Sequence, residues 1–411
     1  MAKKKKRKYR INISKNSEEL NRVDFPLLLL TLGLLVFGIV MVFSASYYWS
    51  LGRTGKPYAY LFDEIKWVIA GLVVMFVTSR IDYKWYRNIS IIALGGSLLL
   101  LMLLFTPLGH EVKGATRWLN VGITIMPGEI AKLAVIIVVA SFLSNPKKDI
   151  TNLKTTVLPL LFMCGAYGAL IMLQPNMSTA VTVVGIIISM MLIAGMKMTH
   201  FGGIAALGVA AGVALIFVGN GYRAKRFLSF MDPFKDALGD GFQVVQSLLA
   251  LGSGGLTGRG LGNSVQKNLY LPEPQNDFIL AIIGEELGFI GILVLIIAYI
   301  LLIWRGLYVA YNAPDKLGFL LAAGVMMMIG IQLVLNIAVV TSSMPPTGVT
   351  LPFVSYGGNA MLLFCASIGI VLNVSKQVGE KKKKEMEDKA EKETYSAYEY
   401  KKNYMKNKRN F

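Results

Sequence analysis

Two cysteines and two histidines are all that the 411 residues contain. Cys164 and Cys365 both fall inside apolar runs, so neither a disulfide framework nor a cysteine-ligated metal is indicated. His110 and His200 have no ligand spacing around them and are read as structural. No HExxH, GxSxG or Walker Gly-Lys-Ser/Thr occurs, so zinc proteases, serine hydrolases and P-loop chemistry have no support. Charge is scarce as well: 16% of residues are charged against 54% hydrophobic, and mean hydropathy is +0.55. That balance excludes an ordinary soluble enzyme.

What the chain does have is long apolar runs of roughly 17–25 residues, the length a membrane-crossing helix needs. About ten are read, at 26–48, 65–80, 89–107, 129–144, 156–173, 177–195, 201–218, 278–304, 316–341 and 360–375. The expected fold is therefore an all-α polytopic membrane protein, a single helical domain over 26–375. An even number of spans puts both termini on one side. The short loops carrying Arg80, Lys84 and Arg87, and Lys147, Lys148 and Lys154, mark that side as cytoplasmic by the positive-inside rule. The basic tail 1–25 is too long, and lacks the cleavage site, for a signal peptide. With the charged tail 376–411 it fits cytoplasmic segments near anionic lipid. Most of the net charge of +18 is thereby accounted for without nucleic acid.

On the opposite, outer side lie 108–128, the "QPN" turn at 174–176, a long extracellular loop at 219–277 between spans seven and eight, and 344–358. Long loops are usually functional. Within this one, "GFQVVQSLLALGSGG" reads as a short amphipathic helix able to lie at the membrane surface. The glycine-rich "GSGGLTGRGLG" that follows matches no nucleotide motif; it suits close backbone approach or bending.

The candidate chemistry sits on this side. Asp277 stands where span eight begins. It suits a helix N-cap, and equally a half-desolvated carboxylate acting as a general base. Glu285 and Glu286 lie roughly 12–14 Å deeper on the same helix, turned by about 80° and 180° from Asp277, so the three cannot share one pocket. Acids at that depth need partners, and these two are read as structural. Glu129 and Lys132, at i and i+3 in "PGEIAKLA", share a helix face. They form either a membrane-embedded ion pair or part of a site. Outer cations Arg117, Arg223, Lys225, Arg226, Arg259 and Lys267 resist the positive-inside bias, and an anionic substrate explains them better than a solvated face does.

Taken in order, "GATRWLNVG…PGEIAKLA", "LQPNMSTA", "YRAKRFLSFMDPF", "GFQVVQSLLALGSGGLTGRGLGNSVQKNLYLPEPQNDFILAIIGEELGFIG" and "TGVTLPFVSYGGNAM" resemble the SEDS family (shape, elongation, division and sporulation), which includes FtsW and RodA. The likeness covers nearly all of 25–375. "GNSVQKNLYLPEPQNDFI" and the basic N-terminal tail are more like the division branch, FtsW. The resemblance implies a peptidoglycan glycosyltransferase that polymerises lipid II at the outer face of the bacterial plasma membrane, at the division septum. It puts the family's essential acid on Asp277, its extracellular arginine on Arg117 and its acid–lysine pair on Glu129 and Lys132. One departure is plain: the family's "QPDxGTA"-like turn reads "QPNMSTA", with Asn176 in place of an acid.

Under that resemblance Asp277 takes the proton of the acceptor sugar's 4-hydroxyl as it attacks the donor's anomeric carbon, inverting it. Arg117, Arg223, Arg226 and Lys132, with Glu129 setting the charge of Lys132, are the candidates for binding the polyprenyl diphosphate. The resemblance fixes no cofactor, although a divalent cation such as Mg²⁺ could share the diphosphate; no clear metal motif is present. Implied partners are lipid II, a class B penicillin-binding protein and other division proteins. The rival readings are a lipid II flippase, since buried charge in many spans suits transport, and a non-catalytic division scaffold.

Overall fold

The structure, a computed structural model, describes residues 23–112, 115–120, 122, 124–217, 230–239 and 241–379. These form helices α1 (Phe25–Thr54), α2 (Ala59–Arg80), α3 (Trp85–Leu103), α4 (Pro127–Leu143), α5 (Leu158–Leu173), α6 (Met177–Ile193), α7 (Met198–Phe217), α8 (Phe242–Gly254), α9 (Ile279–Tyr311), α10 (Lys316–Val340) and α11 (Gly358–Gly379). Each expected span falls on one of them, with α8 as an extra, shorter helix. Among the described residues, six segments are long and apolar enough to cross a membrane by length and composition: α1, α3, Leu153–Leu173, α9, α10 and α11. The molecule is a multi-pass helical membrane protein. Arg223, Lys225 and Arg226, with the tails 1–22 and 380–411, lie outside the described residues.

The helices start and stop where their chemistry directs. Asp24 caps α1 by accepting from the Leu27 amide at 3.0 Å, and Gly55, at φ 68°, closes it by donating to Leu51, as a left-handed C-terminal residue does. Asp24 also takes the Arg305 guanidinium at 2.9 Å, which ties α1 to the inner half of α9. Asp315 caps α10 through the Gly318 amide. Helices α4 and α10 bury residues all round, the pattern of bundle-centre helices, whereas α3 leaves most of its surface for lipid.

The 108–128 segment, expected as a loop, contains a three-stranded antiparallel sheet: β1 (Gly109–Val112), β2 (Ala115–Asn120) and β3 (Thr124–Ile125), in that order. Side chains alternate across a strand. Arg117 therefore shares the face of Ala115 and Leu119, which are buried.

The long outer segment departs most from expectation. It does not simply lie at a surface. α8 buries Val244, Val245, Ser247 and Ala250, bonds α10 from Ser247 Oγ to the Val340 carbonyl at 2.9 Å, and packs its C-terminus on α9. There α9 is broken at Gly288 (φ 69°, ψ −169°). The break frees backbone groups, and the glycine strip takes them. Arg259 and Gly260 amides donate to the Glu285 and Glu286 carbonyls, both at 2.9 Å; Phe289 and Ile290 amides donate to Gly255 and Leu256 at 2.9 and 3.1 Å. A Cβ on Gly258 would lie 2.2 Å from the Glu286 carbonyl oxygen, and one on Gly288 would lie 2.3 Å from the Gly258 nitrogen. This close approach is why glycine occupies the strip.

Glu285 and Glu286 complete the junction. Glu285 accepts from Ser264 Oγ, from the Val265 and Gln266 amides at 3.0 and 3.2 Å, and from Ser253 Oγ at 3.1 Å. Glu286 accepts from Ser44 Oγ of α1 at 2.7 Å and from Lys267 Nζ at 2.9 Å. Two cations expected to serve a substrate are thus otherwise engaged: Lys267 is buried on Glu286, and Arg259 faces Glu285 at 3.7 Å. Glu286→Ala strands the Lys267 ammonium and is expected to cost about 3–5 kcal/mol, read as a lower thermal unfolding midpoint in detergent. Lys66→Ala, which breaks the exposed Asp63 pair, is expected to cost at most about 1 kcal/mol.

Candidate functional site

Four pieces of chain converge at the outer ends of α4, α6, α9 and α10: β2, the 174–176 turn, the start of α9 and the 344–357 segment. Asp277 is half-buried immediately before α9. The N-cap position belongs to Phe278, which makes no side-chain cap bond, so the helix-cap reading of Asp277 is replaced. Its carboxylate faces Gly348 instead. A Cβ built there would lie 3.7 Å from Asp277 Oδ2 and 3.8 Å from Arg117 Nη1. Gly348 is held at φ 78°, a conformation glycine adopts without strain. The acid and the guanidinium thus lie against the same backbone position.

Arg117 is anchored as well as charged. Its Nη2 donates to the Pro175 carbonyl at 2.9 Å, which ties the sheet to the turn between α5 and α6. Beneath the turn, Gln174 Nε2 donates to the Leu101 carbonyl at 2.9 Å. Asn176 is the N-cap of α6, its Oδ1 accepting from the Thr179 amide and Ser178 Oγ. The neutral Asn176 therefore does a capping job that asparagine and aspartate perform equally well, which explains how the turn tolerates losing an acid.

Glu129 and Lys132 form the expected i, i+3 ion pair on α4, at 2.6 Å. Both are buried. Lys132 Nζ also donates to Gln332 Oε1 of α10 at 3.0 Å. One turn further along the same face of α10, Asn336 Nδ2 donates to the carbonyls of Asp277 and Val349, at 2.8 and 2.7 Å. Gln332 and Asn336 were not singled out from the sequence. The signal was present: two amides at i, i+4 in the otherwise apolar "IQLVLNIAVV", where burying a polar group demands a partner. Glu64 of α2, also fully buried, was missed because it stands at the edge of an apolar run. Among the described residues no three His, Cys, Asp or Glu side chains gather as a metal group.

The chain's relatives agree in extent with this architecture. The profile of a cell cycle protein family, FtsW/RodA/SpoVE, matches residues 25–380. The chain is 40% identical over 355 residues to stage V sporulation protein E of Bacillus subtilis strain 168, spanning 86% of this chain and 97% of that one. It is 36% identical over 367 residues to the probable peptidoglycan glycosyltransferase FtsW of Geobacter metallireducens, spanning 89% and 98%. Among solved structures it is similar to a chain of a peptidoglycan synthase complex that coordinates polymerization and crosslinking, with TM-score 0.72, 25% identity and coverage of 87% and 98%. It is also similar to the rod shape determining protein RodA of Thermus thermophilus, with TM-score 0.62, 25% identity and coverage of 86% and 96%.

The buried pair on α4 yields a test by double-mutant cycle. Glu129→Gln and Lys132→Met each leave one buried charge without its counter-charge and are expected to lower the unfolding midpoint. The double variant is expected to lose less than the sum, with a coupling of about 1–3 kcal/mol. Additive losses would show that the two side chains do not interact.

Proposed function

Because the chain belongs to the FtsW, RodA and SpoVE family of cell cycle proteins, we propose that it is a peptidoglycan glycosyltransferase acting on lipid II at the outer face of the plasma membrane during septal wall synthesis. The observation that carries this reading is the meeting of Asp277 and Arg117 at Gly348. One group can accept a proton and the other can hold a phosphate.

In this reading Asp277 removes the proton from the 4-hydroxyl of the acceptor sugar as that oxygen attacks the donor's anomeric carbon. The bond from that carbon to the polyprenyl diphosphate breaks, and the electron pair leaves on the diphosphate. Attack from the opposite face inverts the centre, so a single base suffices and no carboxylate pair is needed. Negative charge grows on the leaving group, where the planar donor fork of Arg117 stabilises it; Arg223 and Arg226 add positive charge that offsets it. Lys132, committed to Glu129 and Gln332, acts from beneath by keeping the α4 and α10 walls together. A divalent cation sharing the diphosphate would come with it, since such ions are commonly held by substrate phosphates and one or two carboxylates.

A partner follows from the same likeness. The similar chain belongs to a synthase complex that couples polymerization to crosslinking, which supports a class B penicillin-binding protein as the transpeptidase beside this chain, within the division machinery.

The test is glycan polymerisation from purified lipid II with the partner transpeptidase present, comparing wild type and Asp277→Asn. Wild type is expected to make polymer. Asp277→Asn, folded and partner-bound, is expected to lose it by about 100-fold or more. Equal polymer from both removes Asp277 as the base. No polymer from wild type, where a control polymerase is active, favours a flippase or a scaffold.

A further inference from the structure

We infer that Asn336 is a positioning residue for the reaction: its side-chain amide sets where the Asp277 backbone sits relative to the 344–357 segment, and thereby where the base meets its substrate. This rests on the reading of Asp277 as the general base.

The argument starts from α10. Asn336 is wholly buried, so it touches no substrate. Its NH₂ has two hydrogens, and both are spent on backbone carbonyls from two different segments: Asp277 at 2.8 Å and Val349 at 2.7 Å. Only a side chain with two donors on one atom can bridge two acceptors this way. The two carbonyls flank the place where the Asp277 carboxylate and Arg117 come against Gly348, since Val349 is the next residue.

The surroundings make the bridge hard to replace. Asp277 precedes a helix whose N-cap, Phe278, supplies no side-chain bond. The 344–357 segment has little regular structure. The Tyr356 amide bonds the Gln275 carbonyl at 2.9 Å, and Asn336 adds the bridge at Asp277 and Val349 themselves; both segments border apolar helices where an unbonded carbonyl is costly. Asn336 sits on a helix fixed independently, by the Asp315 cap at one end and by the Gln332–Lys132 contact one turn away. α10 thus acts as a ruler whose successive amides grip the α4 ammonium and the Asp277 backbone. A displacement of about 1 Å at a catalytic group can cost 100-fold in rate.

The experiment uses the full chain with its partner transpeptidase and measures lipid II polymerisation for wild type, Asp277→Asn, Asn336→Leu, Asn336→Asp and Ser247→Ala. Ser247 donates to the Val340 carbonyl of the same helix, a bond that includes neither Asp277 nor Val349, and controls for loss of one buried hydrogen bond. Asn336→Leu is expected to lower kcat by about 10- to 100-fold with KM within about twofold, while Ser247→Ala stays within about twofold of wild type. Asn336→Asp keeps the volume and removes the paired donors; it is expected to follow Asn336→Leu, and it carries the test if Asn336→Leu fails to fold. A wild-type kcat in folded Asn336 variants beside an inactive Asp277→Asn overturns this inference alone. So does a loss seen only in KM, or a loss matched by Ser247→Ala. Full activity in Asp277→Asn overturns the base reading and this inference with it.

Discussion

A backbone amide or carbonyl removed from water must find a partner, and the outer half of this molecule is organised around one place where that rule is strained. α9 is broken at Gly288, inside a helix otherwise apolar enough to cross a membrane. Left alone, the break would strand carbonyls on one side and amides on the other. The 255–260 strip supplies both, donating from Arg259 and Gly260 and accepting at Gly255 and Leu256. The strip can come this near only because Gly258 and Gly288 carry no side chain, so these glycines and the helix break are two halves of one device. Neither makes physical sense without the other.

The buried charges belong to the same device. Glu285 does with its carboxylate what the strip does with its backbone, collecting the amides of Val265 and Gln266 as the chain turns outward. Glu286 recruits a full counter-charge, Lys267, and a hydroxyl from α1. Adjacent acids with divergent directions thus clamp the returning chain and the neighbouring helix at once. Buried pairs of this kind contribute little over an apolar alternative, but removing one member is severe. They act here as specification: the strip, α1 and α9 satisfy these groups in one arrangement.

Much of this was legible in the sequence, and what was not has identifiable causes. Apolar run length located the helices because membrane spans obey a single strong constraint. The i, i+3 spacing of Glu129 and Lys132 predicted their contact, and the angular offset of Glu285 and Glu286 from Asp277 predicted separate roles. Partnership across the bundle was not legible. Lys267 and Arg259 looked like outer-surface cations because nothing local reveals that the loop carrying them folds back against the acids of α9. The glycine strip was recognised as suited to close approach, yet its target, a helix break, is a backbone event that Gly288 alone does not announce. Gln332 and Asn336 went unremarked because an amide in an apolar run carries no charge to draw notice, though its need for partners is nearly as strict. The family likeness supplied roles for Asp277 and Arg117; the fold supplies what holds them.

The break also bears on how Asp277 is held. On an unbroken 33-residue helix, the residue at its outer end would inherit every bend of the rod within the bilayer. Here the outer part, from Ile279 to the break at Gly288, is a short stub gripped at both ends. Below, the glycine strip and the two glutamates fix it to α1 and to the returning loop; above, Asn336 fixes the backbone that leads into it. The long inner part is tied to α1 through Arg305 and Asp24, and its first residues, Phe289 and Ile290, are bonded to the same strip. Under the proposed function, a base that must meet a sugar hydroxyl within a few tenths of an ångström gains from such fixation. The helix break is therefore part of how the site is held: Asp277 leads into a stub that the fold grips from two directions.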